Sequence, residues 1–375
     1  MNKTADLIVI GAGLHGCSAA LHAAKRGLSV IVIEKDTAGR HASGVNAGGV
    51  RRLGRHFAEV PLSQRSMEIW HHISDLVDDD CGFQKTPQIK VAETQEQLDG
   101  LRQRVTQLQA MGFRHEVILE QSEMRRHLPA LSPHCAGALA VLDDGFAQPY
   151  QTTFAFQRKA RELGVVFVEN TPVQNVSRQG GAWRVTTHNG DYLGETLLNC
   201  AGAWGGEIAR QLGEPVPIEA IAPMMIVTSR MPRFCEAVVG SAGRPLSFKQ
   251  MPNGTVVIGG GRRGRADPAR NRSEMRFSQL RLTAETAIAI FPIMAGATIV
   301  RSWSGIEGRM PDDIPIIGRS SRHEDAFHAF GFSAHGFQMG PGVGAIMAEL
   351  IARGETNAPI APFSIARFLP AHSAH

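Results

Sequence analysis

The sequence predicts an α/β protein: a Rossmann-like dinucleotide-binding domain built from discontinuous segments, with an inserted α+β substrate domain having an antiparallel sheet. Three observations carry this. A strand, a glycine loop, a helix and a second strand open the chain. A second glycine-rich loop runs into a helix near the far end. Between them, short apolar runs alternate with Gly and Pro punctuation. At 375 residues the chain exceeds what one core usually organises, about 250 to 300 residues, so two lobes are expected.

Asp6 to Ile10 (DLIVI) is an apolar strand, Gly11-Ala12-Gly13-Leu14-His15-Gly16 a loop entering an alanine-rich helix to Arg26, and Leu28 to Ile33 a second strand ending at Glu34. This is the dinucleotide fingerprint in its βαβ setting. Gly11 permits the tight turn, Gly13 lets backbone approach a pyrophosphate, and Gly16 lets the helix pack on the strand. Leu14 and His15 begin the helix whose unpaired N–H groups face the phosphates. Glu34, about twenty residues after the first glycine, is placed to accept hydrogen bonds from adenosine ribose hydroxyls and disfavours a 2′-phosphate. His15 and Cys17 read as a loop residue and a packing thiol rather than as catalytic groups. The fingerprint alone leaves FAD and NAD open.

After Glu34 comes KDTAGRHASGVNAGGVRR, with glycines at 39, 44, 48 and 49. A plain nicotinamide enzyme would continue with another strand and helix. This segment instead lays backbone along an extended cofactor, which makes Lys35, Ser43, Asn46, Ala47, Gly48 and Gly49 binding candidates. A helix follows from about 61 to 77, and another over 94–111 with Thr94 as N-cap. From Asp144 the chain reads as a loop, a helix over about 151–163 and a strand. Further strands are expected at 173–177, 182–187 and 192–198, then a small-residue corner, Cys200-Ala201-Gly202-Ala203-Trp204. Residues 216 to 310 give strands at 224–228, 255–259 and 298–303 and a helix near 275–290. Pro311 to Gly318, a strand near 326–330, and GFSAHGFQMGPGVG (331–344) repeat the strand-turn-helix geometry. The expected division is 1–80, 144–215 and 313–375 for the cofactor domain, 81–143 and 216–312 for the substrate domain.

The formal net charge of +4 arises from 39 basic and 35 acidic side chains spread along the chain, apart from the knot Gly261 to Arg265. Nucleic acid is therefore not the expected partner; a small molecule is. The five cysteines are odd in number, widely spaced and lack a C-x-x-C pair, which argues for a reducing compartment and against disulfides, zinc or another metal site. No apolar run reaches a membrane span, and MNKTADLIVI leaves no room for a signal peptide before the first strand, so a cytoplasmic location is expected.

Gly11 to Gly16, Glu34, Ser43 to Gly49, the stretch VPLSQRSMEIW (60–70) and Gly331 to Gly344 together resemble the D-amino-acid oxidase superfamily of FAD-dependent enzymes, in its glycine oxidase and sarcosine oxidase branch. The resemblance covers nearly the whole chain and extends to the β subunits of heteromeric sarcosine oxidases and opine dehydrogenases. It implies FAD, with the adenosine half on the Gly11 loop and the isoalloxazine half at the helix opening near Gly336, so that Gly336, Phe337, Gln338 and Met339 join the cofactor set. It also brings Val173, Ala201, Gly202, Trp204 and Gly305 against the cofactor. The implied chemistry is hydride transfer from the carbon beside a neutral amine to flavin N5, giving an imine that water hydrolyses.

Two departures qualify the resemblance. Glycine oxidases carry a carboxylate-binding arginine where this chain has Glu307, and the sarcosine oxidase pattern ends G-H-G-F-K where this chain has Gln338. Substitute cations are Arg51, Arg52, Lys249, Arg262, Arg263 and Arg309. An acid at 307 fits a larger substrate, such as an opine or another N-substituted amino acid. His335 lies in the flavin loop and reads as a cofactor-positioning group; Lys249 either polarises oxygen or contacts flavin, or simply ends a solvent-facing strand. No cysteine lies near Gly305 and no histidine in Phe146 to Tyr150, so the resemblance implies non-covalent FAD and no covalent FMN. Rival readings are a 2-hydroxy-acid or glycerol-phosphate-type dehydrogenase, or a flavin-bearing β subunit active only with partner chains or a separate electron acceptor.

Overall fold

In the computed structural model, residues 3–369 are described; the last residues of the expected 313–375 segment lie outside the described residues. Two eight-stranded sheets dominate. The first has a parallel centre in the order 166–168, 30–33, 4–10, 190–199, 326–330. Every residue of Val30–Ile33 and of Ala326–Phe330 is buried. That is why they read as unbroken apolar runs: strands covered on both faces have no polar side to alternate with. Strand Gly190–Asn199 is long because it serves two neighbours. Its first half carries the antiparallel meander Val173–Gln179 and Ala182–Thr187, and its last three residues pair with Ala326 to His328.

Helices Leu14–Ala24 and Gly336–Arg353 pack directly on each other. The glycines of the second helix explain the closeness. A Cβ at Gly344 would lie 2.2 Å from Ser18 Oγ, at Gly340 2.6 Å from Leu14, and at Gly342 2.6 Å from Ser66 on helix Val60–His71. The bare backbone of residues 331–344 thus serves helix packing in its second half, while its first half, Gly331 to Phe337, lines a cavity.

The second sheet runs 299–304, 224–228, 256–259, 247–250, 238–241, 88–92, 137–141, 117–120. It is antiparallel as expected except at one junction: Val238–Ser241 runs parallel to Gln88–Ala92. There the two inserted segments meet, and with no hairpin joining them nothing imposes an antiparallel pairing. Gly145–Phe146 pairs with both Gly49–Val50 and Gln84–Lys85, tying the lobes together.

Local differences from expectation are small. The helix expected over 61–77 is two helices, Val60–His71 and Ile73–Val77, broken at His72. The glycine-rich segment after Glu34 contains a short helix, Ala42–Val45. Thr94 caps helix Gln95–Ala110 by accepting the Gln97 N–H at 3.3 Å. Among the described residues no helix is long and apolar enough to cross a membrane, and all five cysteines are buried and free.

Candidate active site

A cavity of about 1020 Å³ is lined from both lobes. Its lining includes Gly11, Gly13, Leu14, His15, Glu34, Lys35, Ser43, Asn46, Ala47, Gly49, Val173, Ala201, Gly202, Trp204, Gly305, Gly336 and Phe337, and Arg51, Glu307 and His335 also line it. Five of the expected cofactor and catalytic residues are not among the lining, nor are Arg52 and Arg262 of the substitute cations. Gly16 packs instead, since a Cβ there would sit 2.0 Å from Gly11 O, and Gly48 faces Ala147 O, 2.2 Å from where its Cβ would be. Met339 is fully buried in the helix interface. The Gln338 amide is engaged internally: Oε1 accepts from Arg55 and Ser63, both at 3.1 Å, and Nε2 donates to Ser63 O. Lys249 is buried behind the wall, its ammonium 4.5 Å from the Phe146 ring centre.

At the nucleotide end, Gly11 adopts φ +103°, and a Cβ would lie 2.5 Å from Cys200 O, so only glycine fits the turn. Glu34 fastens this loop: Oε2 accepts from Ala12 N at 2.7 Å and Oε1 from Asp36 N at 2.9 Å. Burial pushes its carboxyl up, against those two N–H groups. Ser43 Oγ accepts from Leu14 N at 2.9 Å. Lys35 lies over Trp204 at 3.8 Å and donates to Asp36 and, at 2.6 Å, to Asn271 of the other lobe. The residues that precede helices Leu14–Ala24 and Gly336–Arg353, Gly13 and His335, supply no side-chain cap, although Ser43 takes the first N–H of the former, at Leu14. Both helices point positive dipole ends towards the cavity.

His15 sits where these two helix starts converge. Its ring stacks on Phe332 at 3.6 Å, and its Nε2 is buried with no hydrogen-bond partner among the described residues. Burial pushes the imidazole down to about 3, so it is neutral. A buried polar atom without a partner is rare and costly, and here it belongs to a residue lining the cavity. An anionic or hydrogen-bonding occupant fits that wall.

The other end is ionic. His335 Nδ1 lies 3.1 Å from the fully buried Glu59 carboxylate, and Arg55 donates to His335 O at 2.9 Å. Burial lowers the His335 pKa while Glu59 opposes the shift. The histidine is fixed in position by these two contacts. Glu307 Oε1 accepts from Ala334 N at 2.6 Å, and burial pushes this carboxyl up to about 7. Sequence reasoning missed Arg55, Glu59 and Lys90. Lys90 alternates with Ile89 and Val91, so its polarity was visible, but not that its face of the strand looks into a cavity.

A family model described as FAD dependent oxidoreductase matches residues 6–350. The chain belongs to that family. Its cofactor is FAD, and the wall just described fits an anionic group of that kind: two helix starts with their positive dipole ends towards the cavity, and the orphan His15 where they converge. This FAD-dependent oxidoreductase is 25% identical to hydrogen cyanide synthase subunit HcnC of Pseudomonas aeruginosa, over 99% of this chain and 98% of that one. It is also 25% identical to one of the subunits of opine oxidase from Rhizobium meliloti, over 97% of both. Its fold matches the crystal structure of glycine oxidase from Geobacillus kaustophilus with a TM-score of 0.90, at 22% identity, covering 98% of this chain and all of that one.

Proposed function

We propose that the protein oxidises the C–N bond of an amino acid or secondary amine to an imine, which water then hydrolyses. The observation that carries this reading is the pairing of opposite polarities in one cavity. Arg51 offers a guanidinium for a carboxylate, and Glu307 offers a carboxyl for an amine. An amino acid or opine-like substrate presents both a carboxylate and an amine to these two groups. FAD, when bound, supplies the hydride acceptor at N5. The chain's own residues bind, orient and exclude water.

Glu307 Oε1 is held by Ala334 N–H, and Oε2 has no hydrogen-bond partner among the described residues. Above about pH 7 that oxygen is an acceptor for an N–H of the substrate amine. His335 lines the same cavity and, tied to Glu59, keeps one orientation. Non-covalent binding of the flavin is supported by the positions of the cysteines: none of the five lies near Gly305, and all are buried.

Anaerobic addition of sarcosine, glycine, D- and L-amino acids, proline analogues and opines to the flavin-loaded protein tests this reading. Bleaching of the visible flavin band by one of these amines, with release of ammonia or a primary amine, is the expected result. Bleaching only by a hydroxy acid or glycerol phosphate would overturn it. A second reading, catalysis only within a complex, is favoured because the HcnC protein and the opine oxidase relative are both subunits. Co-elution with the products of neighbouring genes on a sizing column, with turnover gained on mixing, would establish it.

A further inference from the structure

Two half-buried cations at one end of the cavity have no acidic partner among the described residues. Arg51 and Lys90 both line it, and neither stands within ion-pair distance of a described carboxylate. The acids nearby are already engaged. Asp144 takes Arg52 Nε at 2.9 Å and the N–H groups of Arg52 and Leu53. Glu116 takes Arg104 Nε at 2.7 Å and Gly54 N at 2.6 Å. Glu59 faces His335.

The tips of the two cations meet at one turn. Arg51 donates to Leu53 O at 2.6 Å, and Lys90 Nζ lies 3.8 Å from where a Cβ on the next residue, Gly54, would be. Burial depresses both groups; Arg51 and Arg104 depress Lys90 further, while at Arg51 the charges of Glu59, Asp144 and Glu116 oppose the shift. Holding two like charges close together in a half-buried wall is unfavourable, and an anion that joins them relieves it.

We propose that Arg51 and Lys90 jointly form the subsite for a substrate carboxylate, so that the substrate is an amino acid rather than a plain amine. The word substrate rests on the C–N oxidation reading; the anion site rests on the geometry alone. The arginine comes from the cofactor-domain loop and the lysine from strand Gln88–Ala92 of the second sheet, so the bound carboxylate bridges the lobes.

Cyclopentanecarboxylate, its carboxamide and inorganic phosphate, none of which carries an oxidisable amine, serve as probes on the flavin-loaded full-length protein. Binding is followed by calorimetry and by displacement of the visible flavin band. The carboxylate is expected to bind at least about tenfold more tightly than the carboxamide. Arg51→Met and Lys90→Met are each expected to weaken carboxylate binding about tenfold or more, with Lys90→Arg restoring most of it and thereby excluding a general folding defect. Unchanged carboxylate binding in both Met variants overturns the proposal, as does phosphate binding more tightly than the carboxylate. Loss of carboxylate binding in the variants, alongside a flavin that no amine bleaches, would remove the C–N reading and leave the anion site standing.

Discussion

Single residues carry the sharpest consequences, because a buried charge or an orphan polar atom has no neighbour to share its cost. Lys249 has no acidic partner among the described residues, and burial lowers its ammonium from 10.5 to about 7. Between those values the unfolded chain holds a proton that the folded chain has lost, so stability rises with pH from about 7 to 10.5. Lys249→Met is therefore expected to raise the Tm by roughly 2 °C or more at pH 6 and much less at pH 10; equal shifts at both would show that burial of the charge is not the cause. Glu307 has the opposite sign. Its carboxyl is raised from 4.5 to about 7, so in the flavin-free protein its contribution is lost as pH rises through that interval. Thermal melts of flavin-free Glu307→Gln between pH 4.5 and 8 should accordingly fall less steeply than those of the parent. His15→Leu removes the donor that waits at the convergence of the two helix starts, and FAD affinity measured by titrating apoprotein is expected to drop about tenfold. Glycine spacing made the loop around His15 legible in the sequence; the stacked Phe332 and the missing partner were not, because both depend on residues more than three hundred positions away.

At the scale of elements, the glycine-rich final helix does two jobs that the sequence could not separate. Gly336 opens onto the cavity, whereas Gly340, Gly342 and Gly344 let the helix lie against helices Leu14–Ala24 and Val60–His71. Gly344→Val is expected to cost about 1–3 kcal/mol through overpacking against Ser18, read as a lowered denaturation midpoint together with reduced FAD content. Gly100 makes the contrasting case. It lies inside helix Gln95–Ala110 with no atom within 4 Å of an added Cβ, so Gly100→Ala should stabilise by about 0.5–1 kcal/mol. Element type was readable where periodicity was strong: strand Ala326–Phe330 and the Thr94-capped helix lie where apolar runs and the cap placed them. The break at His72 was not readable, since no Gly or Pro marks it.

For the whole molecule, the cavity exists because two lobes close over one wall, and specific contacts hold that closure. Asn271 accepts from Lys35 at 2.6 Å and donates to both oxygens of Asp36, joining the turn of hairpin 265–274 to the nucleotide loop beside Trp204. Asn271 has φ 56°, so Asn271→Gly removes the side chain while keeping the turn. FAD is expected to dissociate roughly fivefold faster from that variant, with stopped-flow release as the measurement; an unchanged rate would show that the bridge does not retain the cofactor. The sequence by itself determined the dinucleotide fingerprint and most strands and helices, because each is written in local spacing: period-2 and period-3.6 apolar runs, glycines at fixed offsets, an acid about twenty residues on; the family and FAD were legible as a resemblance carried by several such motifs in order. Only the tertiary structure decided which charges are paired. Arg52 looked equivalent to Arg51 in the sequence, yet Asp144 pairs with the first while the second lines the cavity, and Lys90 comes to the turn that Arg51 holds from a strand nearly forty residues on. Coulomb energies depend on distances between residues far apart in the chain, and those distances are set by packing rather than by sequence order.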